Sequence, residues 1–239
     1  MKKLLIIKTG TTPSAIFKEH GDFEDFIMDQ IEIHPKKVIV SSVFQNESLP
    51  DLRNISAIMI TGSDAMVTDF DSWSVRLSHW LKQDMDKPVP ILGICYGHQL
   101  LAHTFGGVVD YHPQGEELGT VTIELTYQGV SDELLGVLPR SFLGHVAHAQ
   151  TATTLPENSQ LLAKNNFEKH HSFCIQKRIW GVQFHPEFTA DITLAYIRHE
   201  EENLRKEGVD PEKLAGTVQE NPYGGILLKR FIQISNLAD

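Results

Sequence analysis

Residues 93–99 constrain the fold of this chain more than any other segment. Cys95 stands there with a glycine two positions away on each side. An apolar run, residues 89–92, precedes it, and a helix-like segment, residues 99–103, follows it. The order of strand, tight turn and helix predicts a nucleophile elbow, in which only small neighbours fit beside the nucleophile. The helix directs free N–H groups and its positive end at the sulfur, which favours the reactive thiolate.

Short apolar runs alternate with longer amphipathic segments in the first part of the chain. The pattern predicts strands over residues 4–8, 38–43, 57–61 and 89–94, and helices near 13–30 and 71–85. Continuous apolar strands separated by helices indicate a parallel sheet that is covered on both faces. Such sheets bind ligands beyond the carboxyl ends of their strands, where Cys95 and the turn at residues 61–63 fall.

The pattern changes after the glycine pair at residues 106–107. Short strand-like pieces separated by turn residues follow over 108–111, 121–126, 142–148, 160–164, 172–175 and 180–184. They predict a mixed or antiparallel extension of the sheet. Residues 189–206 and 210–235 are predicted to be helical. We expect one domain over residues 1–239, with a core of about residues 1–190 and a helical extension over 190–239.

Charge and cysteine content argue against several classes of protein. The formal net charge is −10, whereas a nucleic-acid binder or a protein that docks on anionic membranes carries a basic surface. The two cysteines, Cys95 and Cys174, show no disulfide pattern, so a reducing compartment is expected, and Cys174 is predicted to lie in the core. No run approaches the ~20 apolar residues of a membrane span, and no signal peptide is recognisable. We therefore predict a cytoplasmic protein.

The twelve histidines raise the question of a metal site. His145 and His148 are three residues apart, and His170 and His171 are adjacent, but no cysteine or carboxylate completes a recognisable set of ligands. The chain also lacks a P-loop or another glycine-rich nucleotide motif. We predict neither a metal nor a cofactor.

A second informative motif lies at residues 185–187. His185, Pro186 and Glu187 follow an apolar strand. Because residues i and i+2 of an extended chain project to the same side, Glu187 can hold the imidazole of His185 in one tautomer. The other ring nitrogen can then accept the proton of a cysteine nucleophile. Taken alone, the pair also fits an ordinary polar contact, and Cys95 fits a small buried apolar residue; together they favour catalysis.

The two motifs resemble those of the class I glutamine amidotransferase family. Gly93-Ile94-Cys95-Tyr96-Gly97-His98-Gln99 and Phe184-His185-Pro186-Glu187 stand in the order and at the distance typical of that family, and the resemblance covers roughly residues 40–190. Stand-alone members, similar to the glutaminase part of GMP synthase, are the nearest match. The resemblance implies a flavodoxin-like three-layer sandwich. It also implies that Cys95 is the nucleophile, His185 its base and Glu187 the residue that orients His185.

The same resemblance implies a reaction and further site residues. Glutamine, or another γ-glutamyl amide, would be hydrolysed at its side-chain amide through a γ-glutamyl thioester, with release of ammonia or an amine. The backbone N–H of Tyr96, which follows the nucleophile, would stabilise the oxyanion, and Gly62 would supply the second donor. The family often has proline after that glycine, whereas this chain has serine. Gln99, Ala147 and His148 would bind the amino-acid end of the substrate; a solvated helix position is the alternative for Gln99.

Several functions remain open at this point. The protein can be a glutaminase subunit that passes ammonia to a separate synthase, or a free-standing γ-glutamyl peptide hydrolase. A non-catalytic glutamine-sensing protein is a third reading, against which the intact Cys95, His185 and Glu187 argue. DJ-1/PfpI-like hydrolases also place a cysteine on an elbow, but a histidine usually follows it there, whereas Tyr96 follows here. The oligomeric state is left open.

Overall fold

The computed structural model describes residues 2–83 and 88–237. The strands are β1 (Lys3–Lys8), β2 (Val38–Ser42), β3 (Ile55–Ile60), β4 (Ile91–Ile94), β5 (Val108–Tyr111), β6 (Glu117–Leu125), β7 (Ser141–His148), β8 (Gln150–Thr154), β9 (Ser159–Lys164), β10 (Ser172–Ile175) and β11 (Ile179–Val182). The α-helices are α1 (Ser14–His20), α2 (Phe23–Ile31), α3 (Ser72–Gln83), α4 (Tyr96–Thr104), α5 (Tyr127–Val130), α6 (Ala190–His199), α7 (Glu201–Lys206), α8 (Pro211–Ala215) and α9 (Tyr223–Ile234).

In the described part of the chain, nine strands form one sheet in the order β2-β1-β3-β4-β11-β10-β9-β6-β7. The pairs from β2 through β11 are parallel, and the pairs from β11 through β7 are antiparallel. The parallel half and its antiparallel extension agree with the prediction. Because β11 is parallel to β4, the carboxyl ends of these two strands lie side by side.

The apolar run of β1 shows why the sheet is covered on both faces. Leu4, Leu5, Ile6 and Ile7 are all fully buried. Leu4 and Ile6 pack in a core with side chains of α2 and α9, whereas Leu5 and Ile7 pack in another core with side chains of α3 and α4. Successive strand residues point to opposite faces, so the alternation produces a helix–sheet–helix sandwich. The predicted flavodoxin-like three-layer fold is confirmed.

Some predicted elements differ in their bounds. The helix expected near residues 13–30 is divided into α1 and α2 at Gly21, whose φ is 94°, and Asp22 then caps α2 in a capping box with Asp25. The end of the helix expected near residues 71–85 lies partly outside the described residues. Strand β8 was not predicted. It pairs with β5 in a separate two-stranded sheet, so β5 does not extend the main sheet.

The segment after residue 189 consists of four helices rather than the two that were predicted. On α9, Leu227, Leu228 and Phe231 are fully buried and pack with α2 side chains in the same core. On α6, Ile192 and Ile197 pack in a third cluster with Ile16 of α1. These helices thus complete the packing of the sheet. No described helix is both long and apolar enough to cross a bilayer.

Candidate active site

Cys95 lies in the tight turn between β4 and α4. Its φ is 49°, a left-handed conformation that residues other than glycine rarely adopt. A Cβ atom on Gly93 would lie 2.4 Å from the Gly97 carbonyl oxygen, and one on Gly97 would lie 2.6 Å from the Ile60 carbonyl oxygen. Both flanking glycines are therefore required by close backbone approach. The turn places Cys95 at the N-terminus of α4.

His185 and Glu187 reach Cys95 from the neighbouring strand. The Cys95 N–H donates to the Val182 carbonyl at 2.8 Å, which fixes the elbow against the end of β11. Three residues after Val182, the His185 imidazole lies close enough to the Cys95 sulfur for the two groups to interact electrostatically. The Nδ1 atom of His185 donates to Oε1 of Glu187 at 2.8 Å. The structure thus brings together the three residues that the sequence places 90 positions apart.

The imidazole of His185 is held from both faces and is strongly polarised. Its ring stacks on Phe188 with centroids 4.0 Å apart and faces Phe23 at 6.4 Å. Burial alone would lower the pKa of His185. The carboxylate of Glu187, the sulfur of Cys95 and hydrogen bonds to both nevertheless raise that pKa to about 10. A positively charged imidazole is favoured between these two groups, which is what a thiolate–imidazolium pair requires.

The turn after β3 lies against the same imidazole. A Cβ atom on Gly62 would lie 3.0 Å from Cε1 of His185. The Gly62 carbonyl accepts hydrogen bonds from the hydroxyls of Thr9 and Thr61, each at 2.9 Å. Because the C=O and N–H of a trans peptide point in opposite directions, this arrangement turns the N–H of Ser63 the other way. Ser63 lines the cavity beside Cys95, so its amide joins that of Gly62 as a candidate oxyanion donor.

The Tyr96 side chain points away from the nucleophile. Its hydroxyl donates to the Ser74 hydroxyl at 2.6 Å, and the ring packs against Trp73 of α3. The role predicted for Tyr96 concerns its backbone N–H, at the start of α4, and stays a prediction.

A cavity of about 240 Å³ opens at Cys95. Gln99, Ala147 and His148 all line it. The Ala147 carbonyl oxygen lies 3.7 Å from the Cys95 sulfur. The Gln99 side-chain amide is already engaged, since it donates to the Gln150 carbonyl at 2.8 Å. Gln99 is thus buried rather than solvated.

His148 belongs to a buried polar network behind the cavity. Its Nδ1 lies 3.0 Å from the Gln150 carbonyl oxygen, and its Nε2 lies 3.1 Å from a carboxylate oxygen of Glu117. Burial works against ionisation of Glu117, but the hydrogen bond from His148 and the nearby His171 lower the pKa of that carboxyl. The imidazole of His148 is therefore held in position by two acceptors. Its implied role in substrate binding stays a prediction.

Sequence reasoning did not single out several residues of the cavity wall. Asp64, Glu116, Tyr196 and Glu200 line it together with Cys95. Asp64 could have been found from its place just after the Gly62 turn. Tyr196 and Glu200 are far along the chain and reach the site only because α6 packs there. Among residues 2–83 and 88–237, no group of three or more histidine, cysteine or acidic side chains is placed to hold a metal ion.

Comparisons with known proteins agree with this geometry. The family model of "Glutamine amidotransferase class-I" matches residues 26–200. GMP synthase [glutamine-hydrolyzing] of Porphyromonas gingivalis is 34% identical over 147 residues, which are 61% of this chain and 28% of that protein. The chain thus spans about a quarter of the length of that relative. Gamma-glutamyl peptidase 4 of Arabidopsis thaliana is 28% identical over 74% of this chain and 71% of its own length.

A solved structure extends the likeness to the whole fold. A glutamine amidotransferase from Thermotoga maritima superposes with a TM-score of 0.79 at 20% identity and covers 98% of this chain and 99% of its own. At that identity the likeness establishes the fold. The family model, by contrast, matches well over half of the chain and includes the elbow and the His185 motif. The predicted family is confirmed: the chain belongs to the class I glutamine amidotransferase family.

Proposed function

We propose that the protein hydrolyses the side-chain amide of glutamine, or of a γ-glutamyl compound, through Cys95, His185 and Glu187. The observation that carries the proposal is the His185 imidazole, which is hydrogen-bonded through Nδ1 to Oε1 of Glu187 at 2.8 Å and interacts electrostatically with the Cys95 sulfur. A nucleophile, a base and a carboxylate that orients the base are the parts that acyl transfer needs.

The first half of the reaction forms a thioester. The Cys95 thiolate attacks the amide carbon, and the carbonyl oxygen becomes an oxyanion. The backbone N–H of Tyr96, with that of Gly62 or Ser63, donates hydrogen bonds to the oxyanion. The imidazolium of His185 then protonates the leaving nitrogen. The C–N bond breaks, ammonia or an amine departs, and a γ-glutamyl thioester remains on Cys95.

The second half restores the enzyme. His185, now neutral, removes a proton from a water molecule, and the resulting hydroxide attacks the thioester carbon. The same donors stabilise the second oxyanion. The C–S bond breaks, glutamate leaves, and the thiolate–imidazolium pair forms again. Glu187 accepts the hydrogen bond from Nδ1–H throughout, so that Nε2 faces the sulfur in both halves.

Two observations favour a free-standing γ-glutamyl hydrolase as a specific form of this function. The similarity to gamma-glutamyl peptidase 4 extends over about three quarters of both chains. The similarity to GMP synthase, by contrast, covers 28% of that protein. The intact arrangement of Cys95, His185 and Glu187 argues against a purely glutamine-sensing role.

Glutamate release tests the proposal. The purified protein is incubated with glutamine and with neutral γ-glutamyl dipeptides, and glutamate is measured over time. We expect turnover by the wild type and by Cys174→Ala, a control for the loss of a thiol, and none by Cys95→Ala. Turnover that appears only after a co-purifying subunit is added supports the glutaminase-subunit form. Equal glutamate release by Cys95→Ala and the wild type would contradict the proposal.

A further inference from the structure

The wall of the active-site cavity carries an excess of negative charge. Three carboxyl groups line it: Asp64 after the β3 turn, Glu116 before β6 and Glu200 after α6. Among the described residues that line the cavity, none is lysine or arginine, and the histidine that lines it, His148, is paired with the Glu117 carboxylate behind it. His199 lies 3.8 Å from Glu200, but it is a cation only when protonated. The cavity therefore presents more negative than positive charge to whatever lies next to Cys95.

The carboxyl groups influence one another. Asp64 is exposed, but partial desolvation by the surrounding protein raises its pKa, and the charge of Glu200 raises it further, although His199 and His185 act in the opposite direction. Burial likewise raises the pKa of Glu116, and the charges of Glu200 and Glu207 add to that rise. A raised carboxyl pKa means that the ionised form lacks a compensating partner. A cation in the cavity would supply that partner.

Two buried oxygens in the same wall lack partners. The Tyr196 hydroxyl and the Gln150 side-chain carbonyl have no hydrogen-bond partner among the described residues. Tyr196 is 8% exposed and Gln150 is 1% exposed, and both line the cavity. A buried polar atom without a hydrogen-bond partner lowers the stability of the folded protein. The Gln150 oxygen accepts hydrogen bonds and the Tyr196 hydroxyl can accept or donate one, so each would gain from an N–H donor placed beside it.

We propose that the preferred substrate is a γ-glutamyl amide whose leaving amine carries a second, positively charged amino group, such as a γ-glutamyl diamine. This inference rests on the function proposed above. The glutamyl end of any such substrate has one ammonium and one carboxylate, so its net charge is zero and it leaves the excess charge of Asp64, Glu116 and Glu200 uncompensated. An ammonium on the leaving group compensates it.

The chemistry of the step is unchanged. Cys95 attacks the γ-carbonyl, the C–N bond breaks, and the diamine departs with the proton from His185. Water then hydrolyses the thioester to glutamate.

Matched substrates test the proposal directly. The conjugates of γ-glutamate with 1,4-diaminobutane, butylamine and 4-aminobutyrate have leaving groups of similar length that end in an ammonium, a methyl and a carboxylate. Glutamate release gives kcat/KM for each. We expect the ammonium conjugate to exceed the carboxylate conjugate by about tenfold or more, as charge pairs near a protein surface produce. Equal values, or a preference for the carboxylate, would overturn the inference.

Charge-neutralising variants locate the effect. Glu116→Gln and Glu200→Gln keep the side-chain shape and remove one charge each. For each variant we divide kcat/KM for the ammonium conjugate by kcat/KM for the carboxylate conjugate. We expect this ratio to fall by about threefold or more, in line with one surface charge pair. Glu157→Gln removes the same charge from an exposed turn outside the cavity, and its ratio should equal that of the wild type. An unchanged ratio in both cavity variants would contradict the assignment.

A measurement that needs no turnover separates this inference from the proposed function. Methanethiosulfonate reagents with an aminoethyl or a sulfonatoethyl group form a disulfide with a thiolate and release methanesulfinate. At Cys95, the reaction rate of the aminoethyl reagent is divided by that of the sulfonatoethyl reagent. This ratio is then divided by the same ratio for a free thiol in solution, and the corrected ratio reports the charge of the cavity. We expect a corrected ratio of about ten or more in favour of the cation. A corrected rate ratio of one would contradict the inference, even if neutral conjugates are hydrolysed. A high corrected ratio without hydrolysis of any conjugate would instead contradict the proposed function.

Discussion

Replacing Glu187 with glutamine tests how much the carboxylate contributes to the reaction. The change keeps an oxygen that accepts the Nδ1–H of His185 but removes the charge that lies 2.8 Å from that nitrogen. Both side chains are buried, at 4% and 0% exposure. Two unit charges at such separations interact by about 1 kcal/mol in water and about 4 kcal/mol at the dielectric typical of a protein surface. With 2–4 kcal/mol lost from the thiolate–imidazolium state, kcat/KM falls by about 30- to 1,000-fold.

Glutamate release measures this effect with His185→Ala as the reference. That variant removes the proton carrier itself, so we expect kcat/KM to fall by about 10,000-fold, the upper end for general acid–base catalysis. The two variants should therefore differ by at least about tenfold. Equal and complete loss in both would refute the division of roles between proton transfer and orientation.

The pH dependence of folding stability gives the same test a second readout. The pKa of His185 is raised from 6.5 to about 10 in the folded protein. The pairing of His185 therefore stabilises the fold fully below pH 6.5, and this contribution is lost as the pH rises toward 10. Glu187→Gln should be less stable than the wild type by about 1–4 kcal/mol at pH 6 in urea unfolding. The difference should shrink at pH 9.5, and a difference that grows with pH would contradict the reasoning.

Three further outcomes are expected. Brief iodoacetamide treatment followed by mass spectrometry should label Cys95 before Cys174, because burial raises the pKa of the Cys174 thiol to about 12; faster labelling of Cys174 counts against the elbow assignment. Gly97→Ala places a Cβ 2.6 Å from the Ile60 carbonyl oxygen, so unfolding in urea should show a loss of about 1–3 kcal/mol, whereas wild-type stability would show that the elbow tolerates a side chain. Truncation before Tyr223 removes three fully buried side chains of α9, so the shortened chain should lose its cooperative unfolding transition, and a retained transition would show that the core does not depend on α9.

The elements that form the elbow could be predicted because local pattern and tertiary role agree there. β4 is a short buried apolar run. The glycines on either side of Cys95 are needed because the backbone carbonyls of Gly97 and Ile60 come too close for a side chain there. His185 could be placed from the chain alone because the apolar run of β11 ends just before it. The parallel pairing of β4 and β11, however, joins residues 88 positions apart and depends on the whole sheet.

The remaining features depend on information that one sequence does not contain. β8 is rich in threonine and lacks a clear alternation of apolar and polar residues, and it becomes a strand because β5 is available to pair with it. The division of the first helix did have a local signal, since Gly21 and Asp22 form a helix end and a cap. Glu200 and Tyr196 enter the cavity through the packing of α6, which no nearby motif indicates.

The most direct test of the central claim is the detection of the covalent intermediate. The protein is mixed with glutamine, quenched in acid within one turnover, digested and analysed by mass spectrometry. We expect one γ-glutamyl group on the peptide that contains Cys95, and none on that peptide when Cys95 is replaced by alanine. Release of glutamate with Cys95 never acylated, or acylation at another residue, would contradict the account.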